Sequence, residues 1–264
     1  MLNFAALTPH PLVLIPQIKT TAKALLPKTK KAFSLLATDF RRAAPETIVM
    51  ISARGPIRYD KFTINFENSF KGNFRDFDGE DYDYIFRNDY ELSRRLLRHL
   101  RREHAPIDII RETALDYGSL IPLTYLTNNL DYRPNLILLT YTAADWEAQY
   151  KFGQQIGKIL HKEEKSIALI ASVNLSNRLS EKSPAGFSPY GAKYDSTLIK
   201  LLQENDVEKI KALNPEFCEE AGEEGLQAIL IALGALSFTR YAFQQLSYEN
   251  SLGTGYLVGE WNIK

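Results

Sequence analysis

Three short runs, Thr47–Ser52, Asn135–Tyr141 and Ser166–Val173, are almost continuous in apolar and β-branched residues. Runs of that length and character suit strands covered on both faces, which is the condition of a parallel sheet carrying its crossover helices on either side. Helical spacing of apolar residues occurs around and between them, at Thr20–Arg42, Asp89–His104, Leu120–Leu130 and Ala144–Glu163. The alternation predicts an α/β fold with a central, mostly parallel sheet flanked by helices. Asn88, followed three residues later by Glu91, predicts a capping box at the start of the second helix.

The segment 59–86 breaks the pattern, being rich in Phe, Tyr, Asp, Asn and Gly with little helical period. It is expected to be an antiparallel insertion or a lid. Leu226, Ile229, Leu230, Leu233 and Leu236 mark a buried helix after the acidic stretch Glu216–Glu224, and Arg240–Tyr248 and Thr254–Trp261 are expected to be two closing strands. With 264 residues, no internal repeat and no clear linker, residues 1–264 are expected to form a single domain.

Lys plus Arg and Asp plus Glu are both 32, so no global field draws the chain toward nucleic acid or an anionic membrane. The basic stretch Arg94, Arg95, Arg98, Arg101 and Arg102 alternates with Leu92, Leu96, Leu97 and Leu100, the pattern of a solvated helix face. The one cysteine, Cys218, cannot form an internal disulfide, and it has no base or cation near it in sequence to activate it. A reducing, cytoplasmic setting is expected. Met1 to Ile18 lacks a basic n-region and contains Pro9, Pro11 and Pro16, unlike a signal peptide. Leu226–Phe238, the longest apolar run, is shorter than the roughly 20 residues a bilayer span needs. His99, His104 and His161 fall on polar helix faces or ends, away from one another at ligand spacing, and are expected at the surface. Gly253-Thr254-Gly255 is too short for a phosphate loop.

Four further stretches carry a resemblance. They are Thr8-Pro9-His10-Pro11; Ser52-Ala53-Arg54-Gly55-Pro56; Leu115-Asp116-Tyr117-Gly118-Ser119-Leu120-Ile121-Pro122-Leu123; and Ala171-Ser172-Val173-Asn174-Leu175-Ser176-Asn177-Arg178-Leu179. Pro184–Pro189 and Ser247–Tyr256 add weaker echoes. Taken in order along the chain, they resemble the B-subunit-like catalytic domain of class III extradiol ring-cleavage dioxygenases, a superfamily that includes the Memo-like proteins. The family typically reads Ser-Pro-His-Gly/Ala-Pro in the second stretch, a His after the Asp in the third, and Gly-Asp-Leu-Ser-His-Arg-Leu in the fourth. The resemblance implies a pocket at one end of the strands.

It also implies non-haem Fe(II) held by two histidines and a carboxylate, with another histidine moving protons. Carried over residue by residue, His10 takes the place of the first metal histidine and Glu249 that of the carboxylate. Arg54 falls on the second metal histidine, Asn177 on the proton-handling histidine and Tyr117 on the histidine of the third stretch, while Asn174 belongs to the same pocket. Arginine has no lone pair to give a metal and stays charged. At about 4 Å and an effective dielectric near 20, its charge repels a divalent ion by about 8 kcal/mol. His10 and Glu249 are therefore expected to be a vestigial, unfilled metal pair, with Arg54 reaching into the vacated position to pair with Glu249. Asn177 does not titrate near neutral pH and Tyr117 is a poor base.

The expectation is an extradiol dioxygenase-like protein that is catalytically inactive, needs no cofactor and binds a small molecule or a partner subunit, with a homo-oligomer left open. Nucleic acid and membranes are not expected partners. The alternative is a non-haem Fe(II) class III extradiol dioxygenase that cleaves a catechol-type ring with rearranged ligands.

Overall fold

The computed structural model describes residues 1–16, 25–77, 79, 81–183 and 185–264. The first residues of the opening helical pattern, 20–24, and Pro184 lie outside the described residues. The chain begins with strand β1 (Leu2–Thr8), helix α1 (Pro27–Ala43), β2 (Thr47–Ser52), β3 (Phe62–Asn65), β4 (Ser69–Gly72) and β5 (Tyr84–Arg87). Helix α2 (Tyr90–Arg102), β6 (Ile107–Ile110), α3 (Tyr117–Thr127), β7 (Asn135–Thr140), α4 (Trp146–Leu160) and β8 (Ile167–Ser172) follow. The last part contains α5 (Gly191–Glu204), α6 (Val207–Lys211), α7 (Pro215–Ala221), α8 (Leu226–Leu236), β9 (Tyr241–Glu249) and β10 (Tyr256–Ile263).

The α/β reading is borne out. Among the described residues, eight strands form one sheet in the order β6-β3-β7-β2-β8-β1-β10-β9. The inner pairs β1/β8, β2/β8 and β2/β7 are parallel. Alternate residues of each strand feed opposite cores. From β2, Val49 and Ile51 join one cluster with the buried faces of α2, α4, α5 and α8, while Ile48 and Met50 join a second with α1, α3 and the aromatic residues Phe70, Phe74, Tyr84 and Phe86. Two-sided burial is why these strands read as unbroken apolar runs. Helices α4 and α8 meet backbone to backbone: a Cβ on Gly153 would lie 2.1 Å from the Ile231 carbonyl oxygen, so only glycine permits this approach.

Several details differ from the sequence expectations. Part of the 59–86 segment belongs to the main sheet, because β3 pairs antiparallel with β7 and parallel with β6. Among the described residues, β4 and β5 form a separate antiparallel ribbon, which supplies aromatic side chains to the second core. The cap of α2 is Asp89, one residue beyond Asn88; its carboxylate accepts from the Leu92 amide at 3.1 Å. Asn88 is instead turned to the Asn65 and Glu67 carbonyl oxygens. His99 is buried rather than at the surface, with Nδ1 facing Arg102 at 3.1 Å, because the α2 turn that carries it also holds the core residues Leu96, Leu97 and Leu100. The two closing strands are present as an antiparallel hairpin, with β10 joined to β1. Among the described residues, no helix is long and apolar enough to cross a membrane.

Candidate functional site

The parallel strands β1, β2 and β8 end side by side, and the segments that leave their carboxyl ends carry His10, Arg54, Asn174 and Asn177. Crevices beyond the carboxyl ends of such strands are the usual ligand position in open α/β sheets. Helix α3 starts at the same end. Asp116 caps it by accepting from the Ser119 amide at 2.9 Å and the Ser119 hydroxyl at 2.8 Å, and it also accepts from the Ser52 hydroxyl at 2.7 Å. That clamp fixes the end of β2 to the start of α3. A Cβ on Gly118 would meet Arg54 Cγ, Asp116 Oδ1 and Ser52 Oγ, each at 2.9 Å, so glycine allows the three to converge.

His10 is buried, and both of its ring nitrogens are committed. The Ser172 hydroxyl has its proton on the Gly118 carbonyl oxygen at 2.5 Å. At 3.0 Å from His10 Nδ1, the same hydroxyl oxygen is therefore left as the acceptor, which places the ring proton on Nδ1 and the lone pair on Nε2. Arg54 Nε donates to that lone pair at 3.3 Å. Burial, reinforced by the Arg54 charge, pushes the His10 pKa down to about 3, so the imidazole is neutral at physiological pH. Ser172 and His10 do not make a nucleophile–base pair, since the serine proton is directed away from the imidazole.

The rest of the guanidinium faces acid. Arg54 Nη2 pairs with Glu224 Oε2 at 2.9 Å, and Asn177 Nδ2 donates to Glu224 Oε1 at 2.9 Å. Asn174 Nδ2 lies 3.5 Å from Glu224 Oε2, and Asn174 Oδ1 accepts from the His10 amide at 3.2 Å. The Tyr117 ring stands edge-on to His10, with centroids 5.8 Å apart, and Arg54 Cζ lies 5.8 Å from the Tyr117 centroid. His10, Arg54, Tyr117, Asn174 and Asn177 thus lie together beyond the strand ends.

Glu249 does not join them. Its Oε2 accepts from the Thr29 amide at 2.6 Å and the Thr29 hydroxyl at 2.7 Å, satisfying orphan donors in the first turn of α1, which has no side-chain cap of its own. The expected Arg54–Glu249 pair is replaced by Arg54–Glu224. Sequence reasoning missed Glu224 because the acidic stretch that holds it was noted only as preceding the buried helix. The acid that serves the start of α8 is its neighbour Glu223, which accepts from the Gly225 and Leu226 amides at 2.9 and 2.8 Å, so position before the helix does not single out Glu224.

A pocket of about 220 Å³ opens beside Arg54, with Pro56, Ile110, Leu115, Leu138 and Leu139 among its apolar walls and Ser52, Asp116 and Thr140 among its polar ones. It exceeds the roughly 150 Å³ that accommodates benzene in an engineered apolar cavity. The donor set does not fit the ferrous iron that two histidines and a carboxylate would hold. His10 supplies one imidazole and Glu224 one carboxylate, while the third position carries a guanidinium. Among the described residues, no group of three or more His, Cys, Asp or Glu side chains is arranged to hold a metal ion.

Two buried groups lie next to the site. Asp195 Oδ1 accepts from the Ser176 amide at 2.9 Å, and Oδ2 accepts from the Tyr248 hydroxyl at 2.6 Å. Burial pushes the Asp195 pKa up to about 7. Cys218 is buried, and burial beside Glu223 raises its pKa to about 12, which leaves it an unreactive thiol.

The profile of the family described as the catalytic LigB subunit of aromatic ring-opening dioxygenase matches residues 4–259. Protein CA_C1420 of Clostridium acetobutylicum is 29% identical over 97% of this chain and 57% of its own length. The 3,4-dihydroxyphenylacetate 2,3-dioxygenase of Escherichia coli is 25% identical over 48% of this chain and 49% of its own. The chain thus spans about half the length of the curated relatives it matches. The crystal structure of uncharacterized protein JW3007 from Escherichia coli K12 superposes with a TM-score of 0.68 at 16% identity, covering 97% of this chain and 98% of that one, a likeness of fold alone. With a match over nearly all of its length, the chain belongs to the family of the catalytic LigB subunit of aromatic ring-opening dioxygenases.

Proposed function

We propose that this protein is a LigB-family scaffold that binds a small molecule in the pocket beside Arg54 and does not perform iron-dependent ring cleavage. The observation that carries this reading is the Arg54 Nε–H bond to His10 Nε2. It consumes the only lone pair that the imidazole could offer a metal, and it places a permanent charge where a second imidazole would be needed. Proton transfer is unsupported too, since Asn177 and Tyr117 hold the positions of the family's other histidines, and His10 is kept neutral by burial. Arg54 Nη1 has no protein acceptor among the described residues, so a bound molecule is expected to present an oxygen to it and rest an apolar body on the leucine walls.

The test is iron analysis and catechol turnover on protein purified without chelator and then incubated anaerobically with ferrous iron. The reading expects neither stoichiometric iron nor oxygen uptake with 3,4-dihydroxyphenylacetate or catechol. Stoichiometric iron with ring cleavage would establish the rearranged-ligand dioxygenase instead.

A further inference from the structure

The misfit between the donor set and iron has a definite shape. Arg54 Nε and Nη2 are the two nitrogens of one edge of the guanidinium, and their N–H bonds run nearly parallel. Those bonds end on His10 Nε2 at 3.3 Å and Glu224 Oε2 at 2.9 Å. One imidazole and one carboxylate thus converge on a single cation. Resting on the proposed function above, we infer that the Arg54 guanidinium is the resident cation of this site, held by the two side chains that would otherwise ligate a divalent ion, and that residue 54 alone decides between the two.

Both acceptors are oriented independently of Arg54. His10 gives its Nδ1 proton to Ser172, whose own proton is fixed on the Gly118 carbonyl, and its amide is tied to Asn174. This is the arrangement in which a metal-bound histidine is usually held: one ring nitrogen donates to a fixed acceptor, and the other is aimed at the cation. Glu224 takes its own support from Asn177 and Asn174. The side chains that prepare an imidazole and a carboxylate for a cation are therefore present in full. Arginine differs from a bound ion chiefly in being tethered, so no free ion competes with it at ordinary concentrations. Among the described residues, Arg54 is the one cation that pairs with Glu224, whose side chain is 21% exposed.

The variant Arg54→His removes the guanidinium and offers a second imidazole at the same place. Prepared metal-free and titrated with Co²⁺, it is expected to take up one equivalent with visible d–d absorption. Its Tm is expected to rise by roughly 5–10 °C when the metal is a hundredfold above Kd. The unsubstituted protein, under the same titration, is expected to show neither change. Combining Arg54→His with Glu224→Gln is expected to abolish Co²⁺ uptake, and combining it with Glu249→Gln to leave uptake intact. Should Arg54→His fold only when refolded with Co²⁺, the inference is equally supported. It is overturned if the variant folds without binding Co²⁺, if it fails to fold with or without the metal, or if the Glu249 combination is the one that loses binding. Co²⁺ uptake by the unsubstituted protein overturns it as well; the results with the variants do not bear on the proposed function, which stands or falls on iron and turnover in the unsubstituted protein.

Discussion

Two turns of this molecule each carry a glutamate and a glycine with positive φ, yet the two glutamates have different partners. In the turn before α8, Gly222 has φ 65° and Glu224 meets Arg54, Asn174 and Asn177. At the turn between β9 and β10, Gly253 has φ 79° and Glu249, the last residue of β9, meets the first turn of α1. The chemistry of the acid is identical, so the difference lies in what faces it: a guanidinium lodged beside a buried imidazole in one case, the free N–H groups of a helix start in the other. The first carboxylate belongs to a site; the second is a cap. Asp195 links the two regions, with one oxygen on Ser176 next to the site asparagines and the other on Tyr248, the residue before Glu249.

The largest expected effect separates the site from its link through pH. His10 resists protonation in the folded state down to about pH 3, against an ordinary imidazole value of 6.5. Its contribution to stability is fully present above pH 6.5 and is lost as the pH falls through that window. Asp195 behaves oppositely. Its folded pKa of about 7, against 3.8, means the folded state keeps a proton that the unfolded chain has released, so stability is lost as pH rises from about 4 to 7. Each slope amounts to about 1.4 kcal/mol per pH unit, and between pH 4 and 6.5 the two oppose one another. Relative to the unsubstituted protein, Asp195→Asn is expected to lose about 3 kcal/mol more on acidification across that interval, and His10→Gln to lose about 3 kcal/mol less. Urea unfolding at a series of pH values checks this. Parallel profiles for all three proteins would sink it.

Next come the two glycines. Alanine at Gly222 would require the left-handed backbone and place Cβ 2.3 Å from Asn177 Oδ1; at Gly253 it would fall 2.5 Å from Ser183 Oγ. Each substitution is expected to cost about 2 kcal/mol in chemical denaturation. The comparison sharpens in what else changes. In the Arg54→His background, Gly222→Ala is expected to weaken Co²⁺ uptake by displacing Asn177 from Glu224, and Gly253→Ala to leave it unchanged. Equal weakening by both would mean that the two turns are not separable.

How much of this was legible beforehand follows from the physics of each residue. The parallel strands were readable because burial on both faces leaves unbroken apolar runs, as in β2 and β8. The short β3 and β6 were not, since four residues without a clean alternation carry too little signal. His10, Arg54, Tyr117, Asn174 and Asn177 were found through local motifs that stay contiguous in sequence. Glu224 escaped because its meaning depends on a contact with Arg54 across 170 positions, which no local pattern encodes. The same limitation made Glu249 look like a site residue: its neighbours in sequence are a strand end and glycines, while its partner, Thr29, is 220 positions away.

The smallest expected effects test the two acids directly. Glu249→Gln keeps the shape of the side chain and an acceptor oxygen for Thr29 but loses the negative charge at the start of α1, so the expected cost is about 0.5–1 kcal/mol. Glu224→Gln removes the charge from a pair whose members retain 35% and 21% side-chain exposure, so solvent screening limits the cost to well under about 1 kcal/mol. Ionic strength then separates them. Raising NaCl from 0.05 to 1 M screens a partly exposed ion pair, so the small difference between the unsubstituted protein and Glu224→Gln is expected to vanish. Much of the Glu249→Gln difference is expected to survive, because two short hydrogen bonds at 2.6 and 2.7 Å carry that contact and salt weakens only its charge-dipole part. Thermal unfolding at the two salt concentrations decides the matter. If the Glu249 effect were the one erased by salt, Glu249 would have to be acting as a long-range charge rather than as a cap.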